Sequence, residues 1–458
     1  MIEINVDLIK KYDKPGPRYT SYPPATHFHE SFTQRDYREE MARTNSLLDF
    51  SELSLYFHLP YCDSLCYFCG CNMMVTRSRG RIKKYVSYLK REIDMISGLL
   101  SPDRETAQMH WGGGTPTHLD PDEIDDLATY IRQRFRLKKD IEAGCEIDPR
   151  ELTREHLMAL RKGGFNRISM GVQDFNEDVQ RAVNRIQPED LTRQVISWVR
   201  ELGFQSFNLD LMYGLPLQTI DSFGKTIERV IELSPDRLAL FNFAYIPWIK
   251  KHMKAIRSED LPSAETKLSI LKMSIEKLLD AGYVFIGMDH FAKPDDELAI
   301  ALREKRMYRN FQGYSTHAGT DLYAMGLTSI SQFGRIYAQN IKDEKGYFRL
   351  LDEGLLPVSR GFILDEDDIL RRDVITRLMC DFELEYDYIE NKYDIEFDRY
   401  FAWGLANLKG MTEDGLVVLG GRKITVTENG RLFIRNIAMN FDGYLERQED
   451  NSRYSKTI

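Results

Sequence analysis

The sequence has little of what an extracellular or membrane protein needs. Only 6 of its 458 residues are Cys, and no apolar run approaches the roughly 18 residues of a membrane-spanning helix. Residues 1–11 carry charges where a secretory signal would need an apolar stretch. We therefore expect a cytoplasmic protein without a membrane span and without a disulfide framework.

A basic excess is also missing. Lys and Arg total 62 against 71 Asp and Glu, so the net charge of -9 gives no electrostatic footprint for nucleic acid. No internal repeat or low-complexity tract occurs either. Hydrophobic residues make up 42% and the mean hydropathy is -0.43, which is typical of a folded soluble chain. We expect a monomer that does not bind nucleic acid.

Periodicity supplies the fold class. From about residue 52 to about residue 290, short β-like runs alternate with helical patterns, which is typical of βα units around a parallel sheet. The predicted strands are 53–59, 108–111, 141–147, 166–172, 204–211, 237–243 and 283–288. The predicted helices are 83–100, 121–135, 189–202, 220–233 and 264–281.

Four of these strands alternate apolar and polar side chains. The polar faces carry Tyr56 and His58, then Glu146, Gln173 and Asp210 on later strands. A parallel sheet covered by helices on both sides would be apolar on both faces, so one face is expected to surround a polar ligand. A (β/α) barrel with helices outside and a site inside explains the pattern most simply; a sheet with one wet face is the alternative.

The two ends of the chain differ from this pattern. Residues 15–24 are rich in Pro and aromatic residues and predict an extended arm. Past residue 360, Asp365 can cap a helix over 369–380, residues 415–427 predict two short strands around a Gly-Gly turn, and 428–439 a helix. We expect an arm over 1–50, a barrel with an accessory segment over 51–360, and a small, mainly helical, winged-helix-like domain over 361–458.

Four of the six cysteines lie within ten residues, as Cys62, Cys66, Cys69 and Cys71, directly after the first predicted strand. Structural zinc usually takes two ligand pairs separated by a longer stretch, and no second pair follows, so zinc is the weaker alternative. Three thiolates on one loop can hold three corners of an iron–sulfur cubane and leave one iron open. Cys145 lies at an apolar position and Cys380 in a helical stretch, so both are expected to be buried.

The spacing Cys62-Asp-Ser-Leu-Cys66-Tyr-Phe-Cys69 resembles the signature of the radical S-adenosylmethionine superfamily. Within it, segments along nearly the entire chain resemble the oxygen-independent coproporphyrinogen III oxidase family. They are Gly16-Pro-Arg-Tyr-Thr-Ser-Tyr-Pro23, Tyr56-Phe-His-Leu-Pro-Tyr-Cys62, Cys69-Gly-Cys71-Asn72, His110-Trp-Gly-Gly-Gly-Thr-Pro-Thr117, Glu146-Ile-Asp-Pro-Arg-Glu151, Gly164-Phe-Asn-Arg-Ile-Ser-Met-Gly-Val-Gln-Asp-Phe175, Asp210-Leu-Met-Tyr-Gly-Leu-Pro216, Asn310-Phe-Gln-Gly-Tyr314 and the region 371–444.

This resemblance implies a partial (β/α) barrel and a cytoplasmic enzyme of porphyrin biosynthesis. The implied reaction is the anaerobic oxidative decarboxylation of two propionates of coproporphyrinogen III to vinyl groups, giving protoporphyrinogen IX. The implied cofactors are one 4Fe–4S cluster and two molecules of S-adenosylmethionine, with an electron donor and an acceptor that the sequence does not identify. Anaerobic haem degradation by radical methylation, or haem transport by a chaperone, remain as alternatives.

The resemblance also implies site residues, carried over by motif position. Cys62, Cys66 and Cys69 would ligate the cluster, while Cys71 accompanies them without being a ligand. Tyr56, Gly113, Glu146 and Ile330 would contact the first S-adenosylmethionine. The residues that would contact the second are Phe68, Gly114, Thr115, Gln173, Arg185, Asp210 and Ala244. No residue is assigned as catalytic, and Arg18 and Arg167 are suggested as partners for the substrate's propionates.

Several of these residues have structural interpretations as well. Glu146 and Asp210 could form internal ion pairs, and Arg185 could belong to a charged helix end. His58 and His110 are expected to face the barrel as hydrogen-bonding groups. The run Gly112 to Gly114 could be a tight turn, although its place at the end of a strand favours close approach of a ligand to the backbone.

Overall fold

The computed structural model describes residues 6–47, 49–446, 454 and 457. The chain folds into two units, which we call the barrel unit and the terminal unit. The barrel unit comprises residues 28–267 and 319–363, and the terminal unit comprises the described residues of 1–27, 268–318 and 364–458. The expected boundaries at residues 50 and 360 therefore differ from this division, since residues 28–50 lie in the barrel unit and residues 268–318 in the terminal unit.

The strands of the described residues are numbered in chain order. They are β1 Leu53–Leu59, β2 Tyr61–Cys62, β3 Met74–Val75, β4 Glu105–Gly113, β5 Arg136–Ile147, β6 Arg167–Gln173, β7 Ser206–Tyr213, β8 Arg237–Asn242, β9 Val284–Gly287, β10 His290–Ala292, β11 Tyr308–Asn310, β12 Gly313–Ser315, β13 Asp321–Met325, β14 Ile330–Phe333, β15 Ile336–Asn340, β16 Val358–Ile363, β17 Glu383–Glu385, β18 Val417–Leu419 and β19 Lys423–Val426.

The helices are numbered in the same way. They are α1 Val6–Tyr12, α2 Gln34–Asn45, α3 Arg79–Leu99, α4 Pro121–Arg132, α5 Arg154–Gly163, α6 Glu177–Ala182, α7 Glu189–Glu201, α8 Ile220–Leu233, α9 Ala264–Asp280, α10 Glu297–Arg303, α11 Glu344–Asp352, α12 Glu366–Asp381, α13 Tyr386–Tyr393, α14 Phe397–Tyr400, α15 Ala402–Glu413, α16 Ile434–Met439 and α17 Gly443–Glu446.

In the barrel unit, ten strands hydrogen-bond in the order β16-β15-β14-β13-β1-β4-β5-β6-β7-β8. The seven from β13 to β8 run parallel to their neighbours, and β14, β15 and β16 continue the sheet antiparallel. A helix follows each of the strands β4 to β7, and parallel strands require such crossover connections. The predicted partial (β/α) barrel is confirmed.

The predicted alternation along the strands is also confirmed. In β6 every second residue from Ile168 to Val172 is buried, while Arg167, Ser169, Gly171 and Gln173 are half-buried. In β7, Asn208 and Asp210 are half-buried between buried apolar neighbours. Because neighbouring strands are in register, Glu146 lies beside Ser169, and Gly171 beside Asp210. One polar face therefore runs across adjacent strands.

The helices that cover the other face form for local reasons. Helix α8 begins at a capping box in which the side chain of Thr219 accepts from the backbone of Ser222, and its apolar residues Phe223, Ile227 and Val230 are buried at helical spacing. Helix α5 ends at Gly164, whose φ of 96° is left-handed and favours glycine. The capping box and the apolar spacing explain why the predicted helix 220–233 agrees with α8.

The seventh predicted strand is present but does not run parallel to its neighbour. It corresponds to β9, which pairs antiparallel with β10 in the terminal unit. Only Met288 and Asp289 separate these two strands, and a connection of two residues permits an antiparallel hairpin but not a parallel crossover. Other elements of the barrel unit lacked a sequence prediction, among them the helices α2, α5, α6 and α11 and the strands β13 to β16.

In the terminal unit, the arm packs against the C-terminal helices. The hydroxyl of Tyr19 donates to Asp442 at 2.9 Å, and the buried Tyr22 accepts from the backbone N–H of Gly443 at 3.0 Å. Asp365 caps α12, and β18 and β19 flank the Gly-Gly turn, as predicted. The short strand β17 completes a three-stranded antiparallel sheet with them. Within the described parts of the chain, none of the helices combines the length and the hydropathy of a membrane-spanning segment.

Candidate active site

The cysteine-bearing loop, residues 60–75, is fastened to the end of β4. The backbone N–H of Gly114 donates to the carbonyl of Leu59 at 2.9 Å, and that of Thr115 donates to Tyr61 at 2.8 Å. The hydroxyl of Thr115 lies 3.3 Å from Sγ of Cys62. Short strands β2 and β3 then close the loop on itself. We call residues 60–75 the cluster loop.

The three predicted ligand cysteines line one cavity together with the polar face of the strands. Cys66 is buried, and Cys62 and Cys69 are half-buried. The predicted site residues lining the same cavity are Cys62, Cys66, Phe68, Cys69, Gly113, Gly114, Thr115, Glu146, Gln173, Arg185 and Asp210. Cys71 and Met73 line it as well. The strand parity and the cysteine spacing thus converge on one place.

Three predicted contacts are not among the lining residues. Tyr56 is a half-buried residue of β1, and its ring stacks on that of His110 with centroids 6.1 Å apart. Ala244 is exposed after the end of β8, and Ile330 is the first, half-buried residue of β14. The roles assigned to these three residues stay predictions.

The thiols of the cluster loop have shifted pKa values. Burial raises the pKa of Cys62 to about 12. Hydrogen bonding by the Cys71 thiol, with help from its backbone N–H and the charges of Lys250 and Arg185, lowers the pKa of Cys69 to about 6. Because thiolates and not thiols bind iron, assembly of a cluster on this loop would release a proton from Cys62.

Among the described residues, no three His, Cys, Asp or Glu side chains are grouped closely enough to hold a single metal ion. In a cubane each thiolate binds a different iron atom, so the three cysteines need only surround a cluster-sized space. Their presence on the wall of one cavity fits that requirement.

Glu146 is held at the centre of the polar face. Its carboxylate lies 3.4 Å from Nε2 of His110 and accepts from the backbone N–H of Gly113 at 3.1 Å. Burial alone would raise the pKa of Glu146, but hydrogen bonds and charge from His110, and the Gly113 N–H, lower it. The side chain remains 44% accessible because it faces the cavity. Glu146 is therefore a charged acceptor available to a ligand.

The pKa of Asp210 is shifted in the opposite direction to that of Glu146. Its oxygens accept from Asn208 at 2.7 Å and from Ser169 at 3.4 Å. Burial, reinforced by the negative charge of Glu146, raises the pKa of Asp210 to about 6. A cationic or hydroxyl-bearing ligand would stabilise the ionised form of Asp210 by pairing with its carboxylate. Neither Glu146 nor Asp210 has the Lys or Arg partner that an internal ion pair would require among the described residues.

Gly113 and Gly114 lie where the end of β4 passes very close to the ring of His58 and to the cluster loop. A Cβ atom on Gly113, whose φ is 114°, would lie 2.6 Å from the ring of His58. A Cβ atom on Gly114 would lie 2.6 Å from the carbonyl carbon of Pro60. Only glycine lets the end of β4 pass so close to the cluster loop and leave backbone N–H groups beside the cavity.

A buried ion-pair network stands behind Cys66. Asp148 accepts from Arg150 at 2.6 Å and from Arg185 at 3.0 Å, and Arg150 and Arg185 lie 3.4 and 3.6 Å from Sγ of Cys66. Burial would raise the pKa of Asp148, but the two guanidinium groups lower it to about 2. The sequence prediction missed Asp148 and Arg150 as site residues. Their place just past the carboxyl end of β5 was the available signal.

The unpartnered polar atoms of the cavity indicate a ligand. Within the described ranges, Oε1 of Gln173 and Nε of Arg185 are buried without a hydrogen-bond partner. Both side chains line the cavity. Buried polar atoms in native proteins are nearly always satisfied, so these two fit a polar molecule such as S-adenosylmethionine.

The other predicted groups have protein partners. His58 lies 2.9 Å from the carbonyl of Asn72 and 3.2 Å from the hydroxyl of Tyr56, as expected for a hydrogen-bonding histidine. Cys145 and Cys380 are buried, as predicted. Arg167 pairs with Glu142 at 3.2 Å in the barrel unit, and Arg18 pairs with Asp289 in the terminal unit.

A partial (β/α) barrel with three cysteines after its first strand, opposite a polar strand face, defines the class of radical S-adenosylmethionine enzymes. The family model of the radical SAM superfamily matches residues 56–230, and that of the HemN C-terminal domain matches residues 364–433. The second match begins three residues past the predicted boundary at 361.

Full-length relatives narrow the class. Oxygen-independent coproporphyrinogen III oxidases of Salmonella typhimurium and Escherichia coli are each 47% identical over 457 residues, covering 100% of this chain and 99% of theirs. The Helicobacter pylori enzyme is 44% identical over 459 residues, covering 100% of both chains. The solved structure of coproporphyrinogen III oxidase from Escherichia coli, a radical SAM enzyme, superimposes with a TM-score of 0.92, covering 97% of this chain and 99% of that one. The chain belongs to the oxygen-independent coproporphyrinogen III oxidase family.

Proposed function

We propose that this chain catalyses the anaerobic oxidative decarboxylation of two propionates of coproporphyrinogen III to vinyl groups, yielding protoporphyrinogen IX. The observation that carries the proposal is full-length identity of 47% to oxidases of this name, combined with a cavity that gathers the family's motif residues. The alternatives of haem degradation and haem transport have less support, because the relatives at 44% to 47% identity over the full length carry the oxidase name.

Cys62, Cys66 and Cys69 would hold a 4Fe–4S cluster by three of its irons. When bound, the cluster and S-adenosylmethionine supply a one-electron cleavage of the sulfonium and a radical that abstracts hydrogen from the propionate β-carbon. The protein's own contribution is to bind and orient these groups and to exclude water.

Two molecules of S-adenosylmethionine would occupy the site. Tyr56, Gly113, Glu146 and Ile330 would contact the first. Support comes from the charged Glu146 carboxylate, which can accept from a ligand amino group or hydroxyl, and from the close backbone at Gly113.

The second molecule would lie on the neighbouring strands. Its proposed contacts are Phe68, Gly114, Thr115, Gln173, Arg185, Asp210 and Ala244. Support comes from the unpartnered atoms of Gln173 and Arg185, and from Asp210, whose raised pKa favours a hydrogen-bond donor or a positive charge beside it. Arg185 can bind a ligand through Nε while its other nitrogens hold Asp148 and Gly171.

The enzyme would work as a cytoplasmic monomer that receives electrons from a separate donor. An acceptor takes the electron that remains after carbon dioxide leaves the substrate. No protein base is needed for hydrogen abstraction, so no residue is proposed as a general acid or base.

An anaerobic assay tests the proposal. Protein reconstituted with iron and sulfide is incubated with a reductant, S-adenosylmethionine and coproporphyrinogen III, and the products are separated by chromatography. Protoporphyrinogen IX and 5'-deoxyadenosine are expected. Formation of neither product by protein with an intact cluster would refute the proposed function.

A further inference from the structure

Two loops of the barrel unit hydrogen-bond to the backbone of the cluster loop. From the first loop, the carbonyl of Val183 accepts from the backbone N–H of Tyr67 at 2.9 Å, and Asn184 donates to the carbonyl of Leu65 at 2.8 Å. From the second loop, Lys250 donates to the carbonyl of Cys71 at 2.9 Å, and Nε2 of His252 donates to that of Cys69 at 2.9 Å. Val183 of the first loop and Met253 and Ile256 of the second belong to one buried apolar cluster with Cys66 and Phe68. Residues 183–186 and 244–257 are therefore surface segments attached to the cluster loop.

These two segments carry the most exposed large apolar side chains of the described residues. Trp248 is 73% exposed, Ile249 is 66% exposed and Ile186 is 61% exposed. None of these three side chains lines the cavity, so a ligand bound there would not explain their exposure. Exposed apolar groups that gather beside a site mark an interaction surface, and Trp is the residue type most enriched among interface hot spots.

One of these segments, residues 244–257, is basic in an acidic chain. No Asp or Glu occurs between Asp236 and Glu259, whereas the net charge of the whole chain is -9. Within that stretch, Lys251 and Lys254 are exposed, and no carboxylate pairs with either of them among the described residues. Arg257, at the end of the stretch, is paired with Glu259 at 3.0 Å. Two uncompensated positive charges therefore border the apolar pair Trp248 and Ile249.

We propose that Ile186, Trp248, Ile249, Lys251 and Lys254 form a docking surface for an acidic one-electron carrier protein, which reduces the cluster. We call these five residues the donor surface. The proposal rests on the proposed function, because only a redox cluster on Cys62, Cys66 and Cys69 needs such a partner. The carrier is oxidised by one electron and the bound cluster is reduced by one electron, with no proton or bond exchanged.

Position and charge both favour this occupant. Electron transfer slows steeply with distance, and the donor surface lies on the two loops that hydrogen-bond to residues 65–71. Basic groups around an apolar centre are complementary to an acidic protein and accelerate its association, more so at low salt. The polyanionic substrate is the competing occupant, and the experiment below separates the two.

The experiment measures reduction of the holoenzyme's cluster by anaerobic stopped-flow absorbance. Three reductants are compared: an acidic flavodoxin in its hydroquinone form, a reduced acidic ferredoxin, and dithionite as a small molecule that needs no docking. The variants are Trp248→Ser with Ile249→Ser, and Lys251→Glu with Lys254→Glu. The control, Lys139→Glu with Lys162→Glu, makes the same change in net charge at the opposite ends of the strands.

We expect at least one carrier to reduce the unmodified enzyme at a rate that falls as salt is added. Both donor-surface variants should lower that rate by about tenfold, while the control variant keeps it. Reduction by dithionite should be the same for all four proteins. Calorimetric titration of the carrier into the oxidised holoenzyme should show the matching loss of affinity.

Three outcomes would overturn the proposal. They are failure of both carriers with the unmodified enzyme, an equal loss of rate in the control variant, or a raised KM for coproporphyrinogen III in the donor-surface variants with dithionite as reductant. The last outcome would assign the surface to the substrate. Product formation with dithionite tests the proposed function separately, so a failed carrier assay leaves that function standing.

Discussion

Cys66 differs from its neighbours at the scale of single residues, because two arginines hydrogen-bond to its sulfur. Arg150 and Arg185 lie 3.4 and 3.6 Å from Sγ, and Asp148 fixes both guanidinium groups. Hydrogen bonds to ligand sulfurs and nearby positive charge make an iron–sulfur cluster easier to reduce, since both stabilise the added electron.

Replacing Arg150 should therefore shift the reduction potential of the bound cluster. We expect Arg150→Met to make the midpoint potential more negative, and Arg150→Lys to do so by less because it keeps the charge. A redox titration followed by electron paramagnetic resonance measures both. The control is Arg154→Met, which removes an exposed arginine 3.7 Å from Glu201. An unchanged potential in Arg150→Met would contradict this role.

A second prediction at this scale concerns the glycine run. Gly114→Ala should destabilise the protein by about 1 to 3 kcal/mol, because the new Cβ would lie 2.6 Å from the backbone of Pro60. Gly98→Ala is the matched control, since its Cβ would have no neighbour within 4 Å and alanine favours a helix by about 0.5 to 1 kcal/mol. Urea unfolding compares the two variants. Equal stabilities would argue against the close crossing.

At the scale of elements, Glu92 joins α3 to the strands and helix that follow β13. It accepts from the backbone N–H of Gly326 at 2.8 Å, from Asn340 at 2.7 Å and from the hydroxyl of Tyr347 at 2.5 Å. Burial raises the pKa of Glu92 to about 7 despite these hydrogen bonds. The folded chain therefore holds this proton more tightly than the unfolded chain does.

The raised pKa of Glu92 makes the free energy of unfolding depend on pH. The stabilisation from Glu92 is complete below its ordinary pKa of 4.5 and is lost as the pH rises through about 7. A shift of that size corresponds to about 3 kcal/mol between pH 4 and pH 8. The difference in unfolding free energy between wild type and Glu92→Gln should fall by that order over this range. A difference independent of pH would contradict the raised pKa.

Elements with strong local signals were predictable from the sequence. Strand β1 and helix α8 match their predictions at both ends, because alternation and a capping box are local properties. Strand β9 was predicted as a strand but wrongly expected to run parallel, since a β-like run does not reveal the direction of the strand that pairs with it. Strands β13 to β15 are short and buried throughout most of their length, so they show little alternation.

The candidate site was also predictable only in part. The polar parity placed Glu146, Gln173 and Asp210 on one face, and the cavity confirms that they lie together. The sequence could not show that Asp148, Arg150 and Arg185 meet at Cys66, because these residues come from the end of β5 and the loop after α6. Such partners are brought together only by the fold.

At the scale of the whole molecule, the site depends on the cluster loop keeping its three cysteines on the cavity wall. Cys62→Ala should lose the iron–sulfur absorbance of reconstituted protein, since two remaining thiolates hold a cubane poorly. Cys145→Ala is the control, because Cys145 is buried away from the cavity lining. A full cluster spectrum in Cys62→Ala would refute its assignment as a ligand.

Isotope transfer from the substrate tests most directly whether this chain decarboxylates coproporphyrinogen III through a 5'-deoxyadenosyl radical. Coproporphyrinogen III deuterated at the propionate β-carbons is incubated anaerobically with the reconstituted protein, reductant and S-adenosylmethionine, and the nucleoside product is analysed by mass spectrometry. We expect deuterium in 5'-deoxyadenosine, formed together with protoporphyrinogen IX. Vinyl product accompanied by unlabelled 5'-deoxyadenosine, or labelled nucleoside without any vinyl product, would contradict that expectation.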